Sequence, residues 1–357
     1  MTSGTSTPSR QVLASAIAYR PPRKYVPVLA TVAVLVGMFG AGSAAFDNFA
    51  SGQVILNLLV DNAFLLVVAV GMTFVIITGG IDLSVGSTVA LSTMVSADLL
   101  ERHGWPAIPV ILLVLSIGSA MGFVMGCIIH FFEIQPFIVT LAGLFLGRGL
   151  CYTISTDSIR ITNPTFVTMA QTDVPLPGGL HVSPSVVIAL LTVAIAMFVL
   201  QYTRFGRTVY AVGGSEQSAM LMGLAVGRTK IAVYTVSGFC SALGGTLLSF
   251  YLLSGYSLSA VGLELDAIAA VVIGGTLLTG GYGYVLGTML GVLVLGLIQT
   301  VISFQGTLSS WWTRMVIGAL LLVFILIQRL ISSRRSRPDR ADRRDGPGPV
   351  PALSGAG

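Results

Sequence analysis

The sequence predicts an all-α, polytopic membrane protein with about ten transmembrane helices. Charged residues make up only 9% of its 357 residues, against about 25% in a soluble domain. Hydrophobic residues make up 54% and the mean hydropathy is +0.90, so much of the surface must face lipid. The apolar residues are grouped in runs that approach the roughly 20 residues needed to cross a bilayer.

Ten apolar runs divide the chain in order. They cover residues 25–45, 63–78, 84–100, 107–131, 137–155, 185–202, 231–253, 265–278, 285–303 and 311–331. A short helical segment at 53–60 precedes the second run, and the stretch 156–183, rich in proline and glycine, is predicted to be irregular. Residues 1–24 form a cytoplasmic N-terminal segment, 25–331 the transmembrane domain, and 332–357 a disordered cytoplasmic tail.

The distribution of lysine and arginine predicts the orientation. Ten spans place both termini in the cytoplasm, and the cytoplasmic segments then hold nearly all the basic residues. Of the lysines and arginines in the loops, only Arg102, Arg160 and Arg314 fall outside, and Arg148 lies within a span. This asymmetry agrees with the positive-inside rule. The net charge of +5 therefore reflects topology, and since no aromatic residues interleave with the basic ones, we expect no nucleic-acid binding.

The segment TGGIDLSVGS, residues 78–87, lies between two apolar runs that are each short for a bilayer span. Its glycines, carboxylate and hydroxyls predict a helix break, which a membrane tolerates only where protein or a water-filled cavity surrounds the backbone. A shift of 201 positions aligns Thr78-Gly79-Gly80 with Thr279-Gly280-Gly281, and Gly86 with Gly287. The sequence thus predicts an internal repeat of two bundles, with the functional site between the halves.

Small residues recur at four-residue spacing along two predicted helices. They are Gly118, Gly122 and Gly126 in one, and Gly283, Gly287 and Gly291 in the other. Such spacing lets helices approach closely in lipid. We expect it to support close helix contacts within the bundle or between two membrane subunits.

The segment GGIDLSVG, residues 79–86, resembles the signature of permease subunits of sugar-importing ATP-binding-cassette transporters of the ribose/xylose/arabinose type. Four further segments resemble the permeases of the galactofuranose importer. These are residues 61–65 (DNAFL), 137–143 (FIVTLAG), 264–269 (ELDAIA) and 306–312 (GTLSSWW). The similarity extends from about Tyr25 to Leu330.

This resemblance implies a permease subunit in the bacterial inner membrane that carries galactofuranose or a related furanose or pentose. It also implies three partners: a cytoplasmic ATP-binding subunit, a second permease subunit, identical or different, and a periplasmic sugar-binding protein. The sequence has no G-x4-G-K-[S/T] phosphate loop, so the chain cannot hydrolyse ATP unaided. We expect a transport subunit and not an enzyme, with no cofactor and no metal site.

An ion-coupled secondary transporter is the alternative hypothesis. In that case intramembrane carboxylates would relay protons or sodium ions, and the candidates are Asp61, Asp82, Glu264 and Asp266. Proton uncouplers would then abolish uptake while ATP persists. A membrane scaffold without transport activity is disfavoured, because it would have no use for polar breaks within its spans.

The polar stretch 203–230 predicts a short helix at the cytoplasmic face. Ser215 is a favourable N-cap and Gly223 can end the helix. Its apolar face is formed by Ala219, Met220 and Met222, and we expect this face to point outward and dock in a groove of a partner protein. The resemblance assigns ATPase coupling to this segment, and the residues that carry the role are Gly213, Gly214, Glu216, Ala219 and Gly223.

Polar residues within or beside the spans are the candidates for a translocation pathway: Asp61, Asn62, Thr73, Asp82, Ser84, Glu264 and Asp266. A charge in hydrocarbon costs several kcal/mol, so each should face protein or a cavity. One hypothesis is that they hydrogen-bond sugar hydroxyls, assisted by Thr78, Thr276 and Thr279. The other is structural: Asp82 caps the helix that starts near Ser84, and Arg148 pairs with a carboxylate across helices.

Overall fold

The computed structural model describes residues 26–47, 49–172, 174–176, 180–306 and 310–333, and most of these residues are helical. The helices are α1 (Val26–Ala45), α2 (Gly52–Asp61), α3 (Ala63–Ile77), α4 (Val85–Glu101), α5 (Ala107–Phe131), α6 (Pro136–Ile154), α7 (Pro164–Gln171), α8 (Pro184–Tyr202), α9 (Arg204–Gly214), α10 (Glu216–Leu221), α11 (Val226–Leu252), α12 (Leu263–Ile273), α13 (Val285–Gln305) and α14 (Ser310–Ser333). The predicted all-α class is confirmed. The expectations for residues 1–24 and for the tail beyond residue 333 lie outside the described residues.

Two short pairs of antiparallel strands lie in the segments that connect the helices. β1 (Ile159–Arg160) pairs with β4 (Ser254–Gly255), and β2 (Val174–Leu176) pairs with β3 (Leu180–Val182). The first pair joins the segment after α6 to the end of α11. The strands therefore tie loops at one end of the bundle and form no sheet layer of their own.

Each of the ten predicted spans corresponds to a helix, but ten membrane crossings are not confirmed. By length and composition, six of the described helices could cross a bilayer: α1, α5, α6, α8, α11 and α13. Helices α2 and α3 would make a seventh crossing as a pair, bent by 59° where they meet. Helices α3, α4 and α12 have 15, 17 and 11 residues, because each is bounded at one end by a polar break.

The connecting segments hold more regular structure than the sequence predicts. Residues 156–183, predicted to be irregular, contain α7 and three of the strands. One reason is that Pro164 starts a helix instead of breaking one. Proline suits the first helical turn, where its fixed φ is already helical and no amide is needed. The side chain of Asn163 caps α7 by accepting a backbone hydrogen bond at 3.0 Å. The stretch 203–230 likewise contains α9 in addition to the short helix that was predicted.

Helix α3 lies at the centre of the bundle. Every residue from Ala63 to Ile77 is buried except Phe64, which is half-buried. Helices α8, α11, α12 and α13 pack around it. A helix that is apolar on all sides has no stripe for water and belongs in a protein core. Its burial fixes the position of both ends, namely the bend at Asn62 and the break that begins at Thr78.

Glycines let α5 and α11 touch through their backbones. A Cβ atom at Gly122 would clash with the carbonyl oxygen of Tyr234. A Cβ atom at Gly238 would clash in the same way with the carbonyl oxygen of Gly118. Gly287 and Gly291 bring α13 equally close to α12. The small residues at four-residue spacing therefore serve packing within the chain.

The two helix breaks begin in the same way. Helix α3 ends at Ile77 and α12 at Ile273, and each chain segment then turns at a glycine in the left-handed region. The φ angles are +83° at Gly79 and +92° at Gly275. In both breaks the amide after this glycine donates to a carbonyl five residues back, at 3.1 and 3.2 Å, which satisfies an orphan carbonyl of the last turn.

This correspondence corrects the register of the predicted repeat. The structural counterpart of Gly79 is Gly275, whereas the shift of 201 positions pairs Gly79 with Gly280. Helix α12 has already ended well before Thr279, because the second break is longer than the first. The glycine pair of the second half therefore lies in the middle of its break and not at the helix end.

We expect Gly122→Ala to destabilise the protein by about 1–3 kcal/mol, the usual cost of overpacking, because the added methyl group would strike Tyr234. Thermal unfolding of the purified protein in detergent measures the effect. Gly149→Ala is the matched control, since its Cβ would meet nothing within 4 Å and alanine is the better helix former. An equal loss of Tm in both variants would contradict the packing argument.

Candidate functional site: a polar cavity and a junction of helix breaks

A polar cavity of about 570 Å³ lies at the α2 end of α3, between α2, α3, α12 and α13. We call it the α2–α13 cavity. Three predicted pathway residues line it: Asp61, Asn62 and Asp266. Polar residues that the sequence analysis missed complete the wall: Asn57, Tyr251, Gln299, Thr300 and Ser303. Gln299 could have been noticed, because it is an amide within an otherwise apolar run.

The bend between α2 and α3 positions the first two of these residues. Asn62 lies at the bend, and its Nδ2 atom donates to the carbonyl oxygen of Leu58 at 2.9 Å. The amide packs against Gly296 of α13, where a Cβ atom would clash with it. Asp61 is exposed to the cavity, and its Oδ1 atom accepts a hydrogen bond from the hydroxyl of Tyr251 at 3.1 Å.

The two carboxylates of α12 have different surroundings. Asp266 lines the cavity and interacts electrostatically with the guanidinium of Arg314. Glu264 does not line it. The carboxylate of Glu264 packs against Gly86 of α4, and its Oε2 atom is buried without a hydrogen-bond partner among the described residues. The structure therefore separates Glu264 from the residues of the cavity.

Arg148 does not form the ion pair that the structural hypothesis predicted for it. Its Nη1 atom donates to the backbone carbonyl oxygens of Ser257 and Ser259, both at 2.7 Å. No carboxylate lies within ion-pair distance of Arg148 in the described part of the chain. The guanidinium thus anchors the irregular segment before α12 to α6, and Glu264 adds a longer-range electrostatic attraction.

Asp82 is fully buried at the first break, where it holds α4 and α11 together. Its Oδ1 atom accepts from the amide and the hydroxyl of Ser84, at 3.0 and 2.6 Å. Its Oδ2 atom accepts from the hydroxyl of Ser237 at 2.7 Å. The carboxylate thus has a structural role at the start of α4, as the second hypothesis describes, although the N-cap position itself is occupied by Ser84. Neither Asp82 nor Ser84 lines the α2–α13 cavity.

Thr73 is also engaged within the core. Its hydroxyl lies 2.7 Å from the carbonyl oxygen of Ala69 and 2.8 Å from the hydroxyl of Thr288. The second contact joins the middle of α3 to the first turn of α13. Six of the seven predicted pathway residues therefore fall into two groups: Asp61, Asn62 and Asp266 at the cavity, and Thr73, Asp82 and Ser84 toward the opposite end of α3. The seventh, Glu264, packs against Gly86 and belongs to neither group.

At that opposite end the two helix breaks meet. The amide of Gly281 donates to the carbonyl oxygen of Ile77, the last residue of α3, at 2.8 Å. Gly213, near the end of α9, lies against both breaks. A Cβ atom at Gly213 would clash with the carbonyl oxygen of Ile77 and would come within 2.5 Å of the amide of Gly281. We call this three-way contact the break junction.

Two further side chains hold the second break. The hydroxyl of Tyr210 on α9 donates to the carbonyl oxygen of Gly283 at 2.7 Å. The buried hydroxyl of Thr31 on α1 donates to the carbonyl oxygen of Ile273, at the end of α12. Together with Ile77 of α3, these side chains of α9 and α1 supply hydrogen bonds to the second break, where the backbone no longer makes helical ones.

Helix α10 begins where the sequence predicts it and presents a different apolar surface. Ser215 caps it by accepting from the amide of Ser218 at 3.2 Å, and the chain turns away at Gly223, where φ is +75°. Ala219 is buried against α9 and α11 and does not join the outer face that was predicted. The exposed apolar side chains are Met220, Leu221 and Met222.

The surroundings of the other coupling residues are distinct. Gly213 reaches the break junction. A Cβ atom at the neighbouring Gly214, in contrast, would meet no atom within 4 Å. Glu216 pairs with Lys230 of α11 at 2.7 Å, which fixes the start of α10 to the bundle. The α9–α10 unit therefore has an inner end in contact with both breaks and an outer end with three exposed apolar side chains.

The chain has a buried central helix with a polar cavity at one end and a junction of broken helices at the other, an arrangement that suits a membrane transport subunit. The chain matches the family model described as "Branched-chain amino acid transport system / permease component" over residues 54–325. It belongs to this family of permeases.

Three curated relatives illustrate this similarity. The chain is 46% identical over 320 residues to the "Inner membrane ABC transporter permease protein YjfF" of Escherichia coli (strain K12), covering 88% of this chain and 97% of the relative. It is 40% identical over 333 residues to the "Fructose import permease protein FruG" of Bifidobacterium longum (strain NCC 2705), covering 92% and 97%. It is 35% identical over 315 residues to the "Ribose import permease protein RbsC" of Haemophilus influenzae (strain ATCC 51907 / DSM 11121 / KW20 / Rd), covering 88% and 94%. No solved structure matches the chain.

We expect Asp82→Ala to lower the free energy of unfolding by about 3 kcal/mol, since buried donors from Ser84 and Ser237 would lose their acceptor. Ser237→Ala removes only one of these hydrogen bonds and should cost about half as much or less. Thermal unfolding in detergent orders the two variants. A wild-type Tm for Asp82→Ala would show that the carboxylate does not hold α4 and α11 together.

Proposed function

We propose that this chain is the permease subunit of an ATP-driven sugar importer of the bacterial inner membrane. The observation that carries the proposal is the α2–α13 cavity, where carboxylates, amides and hydroxyls face one space together with the rings of Phe64, Tyr251 and Phe304. Carboxylates and amides exchange hydrogen bonds with sugar hydroxyls, and aromatic faces suit the C–H surface of a sugar ring. The names of the fructose and ribose import permeases among its relatives support this substrate class.

Within this class we propose galactofuranose or a related furanose or pentose as the substrate. Two of the segments that resemble galactofuranose permeases contribute residues to the cavity. Residues 61–65 supply Asp61, Asn62 and Phe64, and residues 264–269 supply Asp266. The resemblance thus includes residues of the polar cavity, which is where a difference between sugars would be recognised.

The proposed orientation places the α2 end in the periplasm and the α9 end in the cytoplasm, with both termini cytoplasmic. It is supported by Arg204 and Arg207 on α9 and by Arg228 and Lys230 at the start of α11, because basic residues concentrate on the cytoplasmic side. In this orientation a periplasmic sugar-binding protein would deliver its ligand to the α2–α13 cavity. A second permease subunit, identical or different, would complete the pathway.

The α9–α10 unit is the proposed link to the cytoplasmic ATP-binding subunit. The exposed side chains of Met220, Leu221 and Met222 form an apolar tip outside the membrane, which suits a groove on a partner protein. Helix α9 connects that tip to the break junction through Gly213. A displacement of α10 by the ATPase would therefore act on both helix breaks at once.

Uptake into proteoliposomes that contain the complete transporter tests the proposed function. We expect accumulation of labelled D-galactose or D-ribose to require ATP and the sugar-binding protein, and to persist when an uncoupler removes the proton gradient. The control is the same preparation with a nucleotide that cannot be hydrolysed. Uptake that follows an ion gradient without ATP would instead support the ion-coupled alternative.

Gly213→Ala tests the coupling pathway. We expect it to reduce sugar uptake at least tenfold, an effect of about 1.4 kcal/mol or more, because the methyl group would wedge between Ile77 and Gly281. The ATPase should still co-purify with the variant, since the tip at Met220, Leu221 and Met222 is unchanged. Gly214→Ala, one residue along and facing open space, is the matched control. Equal uptake by the two variants would refute a role for the junction.

A further inference from the structure

Helix α2 carries a polar stripe that lines the α2–α13 cavity with only two of its three residues, Asn57 and Asp61. Gln53, Asn57 and Asp61 recur at four-residue intervals in the segment GQVILNLLVD. This spacing places the three side chains on one face of the helix. Leu58 packs into the core, and Ile55 is exposed on a different face. The stripe is therefore separate from the apolar side that holds α2 against the bundle.

A second polar cavity lies on the other side of this stripe. Its volume is about 440 Å³, and its polar lining includes Gln53, Asn57, His181, Ser183 and Ser185. It shares Asn57, Phe64 and Tyr251 with the α2–α13 cavity. Both volumes fall within the roughly 300–1,000 Å³ of small-molecule sites. The two cavities are thus neighbours, with α2 and the ring of Tyr251 between them.

The two ends of the stripe are held by hydrogen bonds. Gln53 exchanges two hydrogen bonds with the backbone of His181, at 3.3 and 3.4 Å. Asp61 accepts from Tyr251 at 3.1 Å. Asn57 in the middle is exposed, and its Oδ1 atom accepts from Gln53 at 2.9 Å. No acceptor for the NH2 group of Asn57 is found among the described residues.

We propose that the stripe of Gln53, Asn57 and Asp61 is a recognition strip for a polyhydroxylated ligand, and that Asn57 is a specificity-determining residue for the transported sugar. The inference rests on the proposed function and extends it to a second subsite, the cavity at His181. An amide donates and accepts at once, as a sugar hydroxyl does. Asn57 faces both cavities, so it contacts the ligand on either side of α2.

Thiol labelling of the purified full-length chain tests the strip directly. Asn57→Cys should react with a membrane-impermeant maleimide above the background of the wild-type cysteines. Saturating D-galactose or D-ribose, whichever the transporter carries, should slow the reaction at least fivefold. Sucrose at equal osmolarity should not. Ile55→Cys, exposed on another face of α2, should react equally with and without the carried sugar.

Uptake by the complete transporter provides the second readout. Asn57→Ala should reduce the rate roughly five- to tenfold, the effect of losing one hydrogen bond to the ligand, and should change the ratio of D-galactose to D-ribose uptake. Ile55→Ala should keep the wild-type rate and ratio. Folding is checked by the Tm of each variant.

The outcomes separate this inference from the function on which it rests. Wild-type uptake with an unprotected Asn57→Cys and an unchanged Asn57→Ala rate would overturn the recognition strip and leave the sugar importer standing. Absence of any sugar uptake by the wild-type transporter would overturn the proposed function and the inference with it. Protection of Asn57→Cys together with an altered uptake ratio would support the strip.

Discussion

The fold depends on satisfying backbone polar groups where two helices stop inside an apolar bundle. A buried amide or carbonyl without a partner costs several kcal/mol where no water can reach it. The amide of Gly281 and the carbonyl of Ile77 satisfy each other across the two breaks. Each half of the chain thus completes the other, and neither break can rearrange without releasing a group of its counterpart.

Helix α3 turns this local constraint into a link between distant parts of the molecule. Its residues are buried throughout, apart from Phe64, so close packing on all sides keeps the helix rigid. One end carries the bend at Asn62, beside the α2–α13 cavity. The other end carries Ile77, in the break junction with Gly213. The proposed ligand contacts at one end and the contacts of α9 at the other therefore involve the same helix.

The sequence allowed the class of fold, a helix in each of the ten apolar runs and the short helix after Ser215 to be predicted, because apolar runs and caps are local signals. Contacts between distant segments could not be predicted. The shift of 201 positions follows glycine pairs, whereas the true register depends on where α12 stops packing. Ala219 was assigned to an outward face, yet neighbours on α9 and α11 bury it. Asp61, Asp266 and Glu264 were all predicted to line the pathway. Their positions in the sequence do not show that the first two line one cavity or that Glu264 lies outside it.

The hydroxyl of Thr31 reaches from α1 to the end of α12 and donates to a buried backbone carbonyl oxygen there. Helix α1 therefore does more than anchor the chain at its start. A shortened relative that dispensed with this helix would have to bring another donor to the same oxygen, from an added subunit or a rebuilt loop. Helix α1 thus packs as part of the second half of the protein, although it lies at the start of the first half of the sequence.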